Sequence, residues 1–232
     1  MSVTQELIAD VNKRLFTPFQ DLPVRKTDLG VLFGCRSASG TVAREAAALY
    51  KREAFPKIMV FGGKRVCQPL VLMGLNREQR SQAPIKDYFS LATEAEYMRR
   101  VLIANDVPED DIVFVGAGEK HADKICAQLR AQLQGDFADV TSLSAVTYSP
   151  YSRRTVGTMR MQGIDLPVDV RPVHPFGLKP ESWQHSQVAK YVVQEARNMN
   201  PINPDGHVGK YTTAVDLDAE ATLRESLPVL DG

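Results

Sequence analysis

The residues best suited to chemistry lie in one stretch of the chain, LSAVTYSPYSRRTVGTMR, which runs from Leu143 to Arg160. The apolar run at its start predicts a buried strand, and Ser149-Pro150 predicts a turn after it. Arg153 and Arg154 follow, where a helix is expected to begin. Two guanidiniums beside a helix N-terminus, at the carboxyl end of a parallel strand, form an anion-binding arrangement. The stretch therefore predicts a ligand that carries a phosphate or a carboxylate.

The segments around this stretch alternate between apolar runs and amphipathic helical patterns. Strand followed by helix, five times over, predicts an α/β protein: a Rossmann-like three-layer α/β/α sandwich with a mostly parallel sheet of five strands or slightly more. Such sheets bind ligands at the carboxyl ends of their strands, so the candidate residues should follow the strands directly. The predicted strands are Leu29–Phe33, Lys57–Phe61, Ile112–Val115, Leu143–Thr147 and Val168–Val173.

The chain divides into three parts by its patterns. Residues 1–27 predict an N-terminal helix and a connection, and residues 28–198 predict the Rossmann-like domain. Within that domain, residues 64–92 are long for a strand-to-helix connection, which is typically about 2–6 residues, and are interpreted as a lid or an insertion. Residues 199–232 are interpreted as a C-terminal tail rich in Pro, Gly and Asn.

Composition narrows the classes of function. The 232 residues are 44% hydrophobic and 24% charged, which is typical of a globular domain. The 28 Lys and Arg residues balance the 28 Asp and Glu residues, so the chain has no excess of positive charge and a nucleic-acid partner is not expected. No apolar run has the length of a membrane span, and no signal peptide is recognised. Three cysteines without an export signal predict a reducing, cytoplasmic location. Because the chain has neither an HExxH motif nor a Cys/His cluster, no dedicated metal site is predicted.

Small residues follow the first two predicted strands. Gly34, Arg36 and Ser37 begin a loop whose backbone amides are suited to cradling an anion, although a tight turn explains the small residues equally well. Gly62 and Gly63 allow either close approach of a ligand or a sharp turn. The glycines between the third strand and its helix lack the third glycine of a dinucleotide fingerprint, which argues against classical NAD binding.

Four further side chains follow strands or begin helices. Glu94 is either a partner of the helix dipole or a carboxylate for ribose hydroxyls, an amino group or general-base work. His174 is either an acid–base group or a histidine satisfied by the backbone. Arginines at a helix start are unfavourable for the dipole, so Arg153 and Arg154, beside Tyr151, need a ligand or an acidic partner.

The order and spacing of these motifs resemble the DUF218 family, and its YdcF-like branch most closely. The matching pieces are LGVLFG, KIMVFGG, TEAEYMRRVLIANDVPEDDIVFV and SPYSRRT, which lie between Asp28 and Phe176. The resemblance implies a Rossmann-like fold, binding of S-adenosylmethionine, and Gly62, Gly63, Glu94 and Arg154 as pocket residues. The chain departs from many members in reading GEKHADKI after the third strand, and Tyr151 lies near where many have a histidine.

The resulting expectation is a cytoplasmic YdcF-like protein that binds a nucleoside- or nucleotide-type small molecule. S-adenosylmethionine is the preferred cofactor, and transferase or lyase chemistry would use Glu94 as base and His174 as acid. One alternative is a hydrolase or transferase that acts on a phosphorylated small molecule. Another is a non-catalytic sensor or interaction protein, and a homo-oligomer is compatible with all three.

Overall fold

A computed structural model describes residues 4–16, 19, 21–34, 38–63, 93–118, 122–175, 178–185, 189–198 and 217–230. The strands in these ranges form one five-stranded sheet, in the order β3-β2-β1-β4-β5, and every pairing is parallel. The predicted α/β class and parallel sheet are therefore confirmed. The strands are β1 (Leu29–Phe33), β2 (Ile58–Gly63), β3 (Ile112–Gly118), β4 (Leu143–Tyr148) and β5 (Val168–Val173).

Seven α-helices accompany the sheet within the described ranges. They are α1 (Gln5–Leu15), α2 (Ser39–Lys51), α3 (Glu94–Ile103), α4 (Ala122–Gln134), α5 (Ser152–Met161), α6 (Ala189–Asn198) and α7 (Leu217–Glu225). None of these helices combines the length and the apolar character that crossing a bilayer requires.

The helices form two layers and a third cluster. Helices α2 and α3 pack on one face of the sheet, and α4 and α5 pack on the other. The third cluster joins α1 and α6 around Trp183, whose indole Nε1 donates a hydrogen bond of 2.9 Å to Asn12 Oδ1. The N-terminal helix is thus attached to the sandwich by buried contacts.

Short 3₁₀ turns precede two of the helices. The helix after β4 was expected to begin at Arg153 and Arg154 and begins at Ser152, because residues Ser149–Tyr151 form a single 3₁₀ turn that leads directly into it. A second 3₁₀ turn, Trp183–His185, precedes helix α6, and residues 186–188 lie outside the described ranges.

Helix α7 lies within the segment predicted to be a tail, and a buried carboxylate holds it against the sheet. Asp169 on β5 is fully buried, and its carboxylate accepts hydrogen bonds from Arg171 (2.6 and 2.7 Å), from Arg224 of α7 (2.6 Å) and from the backbone N–H of Arg25 (3.0 Å). After α7, the backbone N–H of Leu230 donates to the Val24 carbonyl at 2.8 Å. Residues 217–230 therefore pack against the folded domain.

One cysteine lies in the described part of the chain, and it is chemically protected. Cys126 on α4 is buried, and burial, assisted by the negative charge of Asp123, raises the pKa of its thiol to about 12. Since the thiolate is the reactive form, we expect Cys126 to resist iodoacetamide at pH 8 in the native protein and to react in denaturant. Mass spectrometry of the tryptic peptide Ile125–Arg130 measures the labelling of Cys126 separately from that of Cys35 and Cys67. Rapid native labelling of that peptide would contradict the buried placement.

Candidate functional site

The order in which the chain adds strands to the sheet reverses between β1 and β4. From β1 the chain adds β2 and β3 on one side, and then β4 and β5 on the other. The two crossovers diverge at this switch point and leave a crevice at the carboxyl ends of the strands, where open α/β sheets bind their ligands. Of the residues predicted there, the structure describes Gly34 after β1 and the Arg153-Arg154 pair after β4, whereas Arg36 and Ser37 lie outside the described residues.

Glu94 faces the strand ends and is not the cap of its own helix. The capping box of α3 is formed by Thr93 and Glu96, which exchange two hydrogen bonds of 3.1 Å between side chain and backbone. The Glu94 carboxylate is buried, with 7% of the residue exposed, and accepts hydrogen bonds from Ser39 Oγ (3.1 Å) and from the backbone N–H of Gly63 (3.3 Å). A negative charge is thus placed at the carboxyl ends of β1 and β2.

The glycines at these strand ends make room for that carboxylate. A Cβ on Gly34 would lie 2.8 Å from Glu94 Oε2 and 3.1 Å from the Gly62 Cα. A Cβ on Gly62 would lie 2.9 Å from the Glu94 Cβ, so the first turn of α3 would have to move. Gly34 and Gly62 therefore serve the close approach of α3 to the sheet, and through it the position of Glu94.

Arg154 has an acidic partner inside the protein. Its Nη1 donates a hydrogen bond of 3.1 Å to Glu195 Oε2 on α6, and the Glu195 side chain is only 5% exposed. Its guanidinium also lies 4.0 Å from the centroid of the Tyr151 ring, which makes a cation–π contact. Arg154 and Tyr151 thus tie α6 to the start of α5, and the compensation that the sequence demands for this arginine is Glu195.

Arg153 has no such partner. Its side chain is half-buried and forms no ion pair or hydrogen bond with any residue in the described ranges. Burial lowers the pKa of its guanidinium, and the positive charge of Arg14 on α1 adds to that effect. Arg14 is itself paired with Asp10 at 2.8 Å. The guanidinium of Arg153 is thus partly desolvated and not neutralised, as expected for a group that receives an anion.

Two serines that the sequence analysis did not select lie beside Arg153. Ser149 and Ser152 are fully buried, and neither hydroxyl has a hydrogen-bond partner in the described structure. The N-cap residue of α5, Tyr151, makes no side-chain cap. A buried hydroxyl without a partner costs about 1–3 kcal/mol, so this helix start has unused hydrogen-bonding capacity. In the sequence these serines lie on either side of Pro150-Tyr151, just before a predicted helix. Serines in that position are common as helix N-caps, so the sequence alone does not identify them as ligand-binding residues.

His174 is not brought together with Glu94. It follows β5, whereas Glu94 contacts Gly63 at the end of β2, and three strand spacings separate β2 from β5, roughly 14 Å. The His174 ring stacks on Phe16, with 6.2 Å between centroids, and its Nδ1 hydrogen-bonds the Leu178 carbonyl at 3.1 Å. Direct proton exchange between these two predicted catalytic residues is therefore excluded in this conformation.

The described residues contain no group of three or more His, Cys, Asp and Glu side chains placed to hold a metal ion. Comparison of the chain with family models and with curated proteins finds no match. The resemblance to the DUF218 family therefore stays a prediction. The described site consists of a buried carboxylate at the ends of β1 and β2 and, at the end of β4, an unpaired guanidinium with two unpartnered hydroxyls.

Proposed function

We propose that this chain binds a nucleoside- or nucleotide-type small molecule across the switch point, with S-adenosylmethionine as the preferred ligand. The observation that carries the proposal is the group formed by Ser149, Ser152 and Arg153, whose buried hydroxyls and unpaired guanidinium lack partners in the described structure. Their position at the carboxyl end of β4 is where a sheet of this topology receives ligands.

The anionic end of the ligand would lie at the start of α5. A carboxylate there would accept a charge-assisted hydrogen bond from Arg153 and hydrogen bonds from the serine hydroxyls. The helix N-terminus adds a favourable dipole for negative charge. Since Arg154 is engaged with Glu195, its role in the proposal is to position this turn and not to contact the ligand.

The other end of the ligand would lie towards Glu94. Dinucleotide-binding sheets place an acidic residue near the end of the second strand, where it accepts hydrogen bonds from ribose hydroxyls. Glu94 occupies the corresponding place, beside Gly63 at the end of β2. Its negative charge also favours a ligand that carries a cation over one that carries only phosphates, because a phosphate near Glu94 would be repelled.

S-adenosylmethionine satisfies both ends, since it has a carboxylate, a ribose and a positively charged sulfonium. Membership of the DUF218 family and transferase or lyase chemistry on this ligand belong to the same proposal, and they rest on the sequence resemblance. A cytoplasmic location is also part of it, and it rests on the odd number of cysteines. A phosphorylated small molecule is the second candidate, which the arginine at the helix start favours.

Thermal unfolding with a ligand panel tests the proposal. S-adenosylmethionine at ~100 times its Kd should stabilise the protein by about 2.7 kcal/mol, which raises Tm by roughly 5–10 °C for a chain of this size. S-adenosylhomocysteine should give a shift of the same sign. A shift with ATP and sugar phosphates alone would favour the second candidate. No shift with any compound would overturn ligand binding at this site and favour the interaction protein.

A further inference from the structure

A second cavity, remote from Glu94, lies beside β5. Its volume is about 350 Å³, within the size range of small-molecule sites. Helix α2 lines one side and the end of β5 lines another, and residues 19, 21, 22, 24 and 179–181 complete the wall. The charged and titratable side chains that line it are Asp21, Glu45, Arg52, Arg171, His174, Lys179 and Glu181.

The direction of the elements gives this cavity two different ends. Helix α2 runs from the carboxyl end of β1 back to the amino end of β2, so Glu45 lies nearer the carboxyl ends of the strands than Arg52 does. Strand β5 runs the opposite way, from Arg171 towards His174. Arg52 and Arg171 therefore line one end, and Glu45 and His174 line the other. The seven residue steps from Glu45 to Arg52 correspond to ~10 Å along the helix axis.

The end at Arg171 has an excess of positive charge. The guanidiniums of Arg171 and Arg224 both donate to the single carboxylate of Asp169, and Arg52 adds a further guanidinium on the cavity wall. Asp21, which precedes the Leu22 carbonyl that Arg171 binds at 3.0 Å, offsets only part of this charge. Arg52 forms no ion pair with a described residue, so it remains available to an anion.

The end at His174 favours a cation or a hydrogen-bond donor. The Leu178 carbonyl can only accept, so the 3.1 Å contact makes Nδ1 the protonated nitrogen and leaves Nε2 as an acceptor. Burial is the main effect on the pKa of His174 and lowers it, so the ring is neutral at neutral pH. Two carboxylates, those of Glu45 and Glu181, line the cavity with one ammonium, that of Lys179, which leaves one negative charge in excess.

We propose that this cavity binds a small zwitterion the size of a dipeptide, with its carboxylate at Arg52 and its ammonium between Glu45 and His174 Nε2. The terminal groups of an extended dipeptide lie about 7 Å apart. This separation allows them to contact charged side chains at the two ends of a cavity wall that is ~10 Å long. A single amino acid is too short to reach both ends. His174, which the sequence analysis placed in the nucleoside site, is a binding residue of this second site.

Calorimetric titration with L-alanyl-L-alanine tests the proposal, with two matched probes. N-acetyl-L-alanyl-L-alanine lacks the ammonium, and L-alanyl-L-alaninamide lacks the carboxylate. We expect the wild-type protein to bind the dipeptide and each blocked probe about 10- to 100-fold more weakly, the loss that follows removal of a charged hydrogen bond. No binding of the dipeptide, or equal binding of either blocked probe, would overturn the proposal.

Three variants locate the binding in this cavity. Glu45→Gln and Arg52→Gln change exposed side chains and should leave Tm unchanged while raising the dipeptide Kd about 10- to 100-fold. Lys57→Gln, also exposed but absent from the cavity lining, should bind as wild type does. Equal affinity in all three variants would contradict the assignment. Because Arg52→Gln should leave any S-adenosylmethionine shift intact, this proposal and the nucleoside proposal fail independently.

Discussion

Replacing Asp169 by asparagine is expected to lower the free energy of unfolding by about 3–5 kcal/mol, the loss typical when one partner of a buried ion pair is removed. The Asp169 carboxylate is inaccessible to solvent, and Arg171 and Arg224 bind it with side chains that are 12% and 8% exposed. Asparagine has nearly the same shape but no charge, so both guanidiniums would stay desolvated without neutralisation. Helix α7 would lose its main polar attachment to β5.

Thermal unfolding measures this loss, which should lower Tm by roughly 10 °C or more for a chain of this size. Asp106→Asn is the matched control, because Asp106 pairs with Lys51 at the surface, where its side chain is 85% exposed. Asp106 has a positive φ of 62°, which asparagine also tolerates. The control should cost less than about 1 kcal/mol. Similar losses in the two variants would contradict the role assigned to the buried carboxylate.

Replacing Arg153 by glutamine is expected to weaken S-adenosylmethionine binding about 10- to 100-fold, since the charged hydrogen bond to the ligand is worth about 1.5–3 kcal/mol. The same change should leave the ligand-free protein as stable as before, or slightly more stable. The reason is that Arg153 has no ion pair to lose within the described structure and lies in the positive field of Arg14.

Arg154→Gln should behave in the opposite way. Its loss would leave the buried Glu195 carboxylate without the guanidinium that binds it at 3.1 Å, so the ligand-free protein should be destabilised. Comparison of the two variants therefore distinguishes the ligand-binding role of Arg153 from the structural role of Arg154. The interpretation is contradicted if Arg153→Gln unfolds the protein as Arg154→Gln does.

The sequence was sufficient to predict the sheet and one helix start. Strands β1 and β2 are buried at every position, so their apolar runs are continuous and easy to recognise. Thr93 with Glu96 three residues later is the local signature of a capping box, and the structure forms it. Gly62 was selected for its position after the second predicted strand and Glu94 for its position at the start of the next helix, and the parallel topology brings both to one edge of the sheet.

The pairings between distant segments could not be predicted. Arg153 and Arg154 are chemically identical in the sequence, and they differ because Glu195, 41 residues further along, reaches only Arg154. The Ser149 and Ser152 hydroxyls became candidates only when their burial and lack of partners were known. Helix α7 was missed because its apolar pattern is weak, and its docking depends on the contact between Arg224 and Asp169.

Calorimetric titration of S-adenosylmethionine into the wild-type protein and into the Arg153→Gln variant tests the central claim most directly. We expect saturable binding at one site in the wild type and a Kd about 10- to 100-fold higher in the variant, at equal Tm without ligand. Equal affinity in the two proteins would place the ligand elsewhere. Absence of binding to the wild type would contradict the proposed function itself.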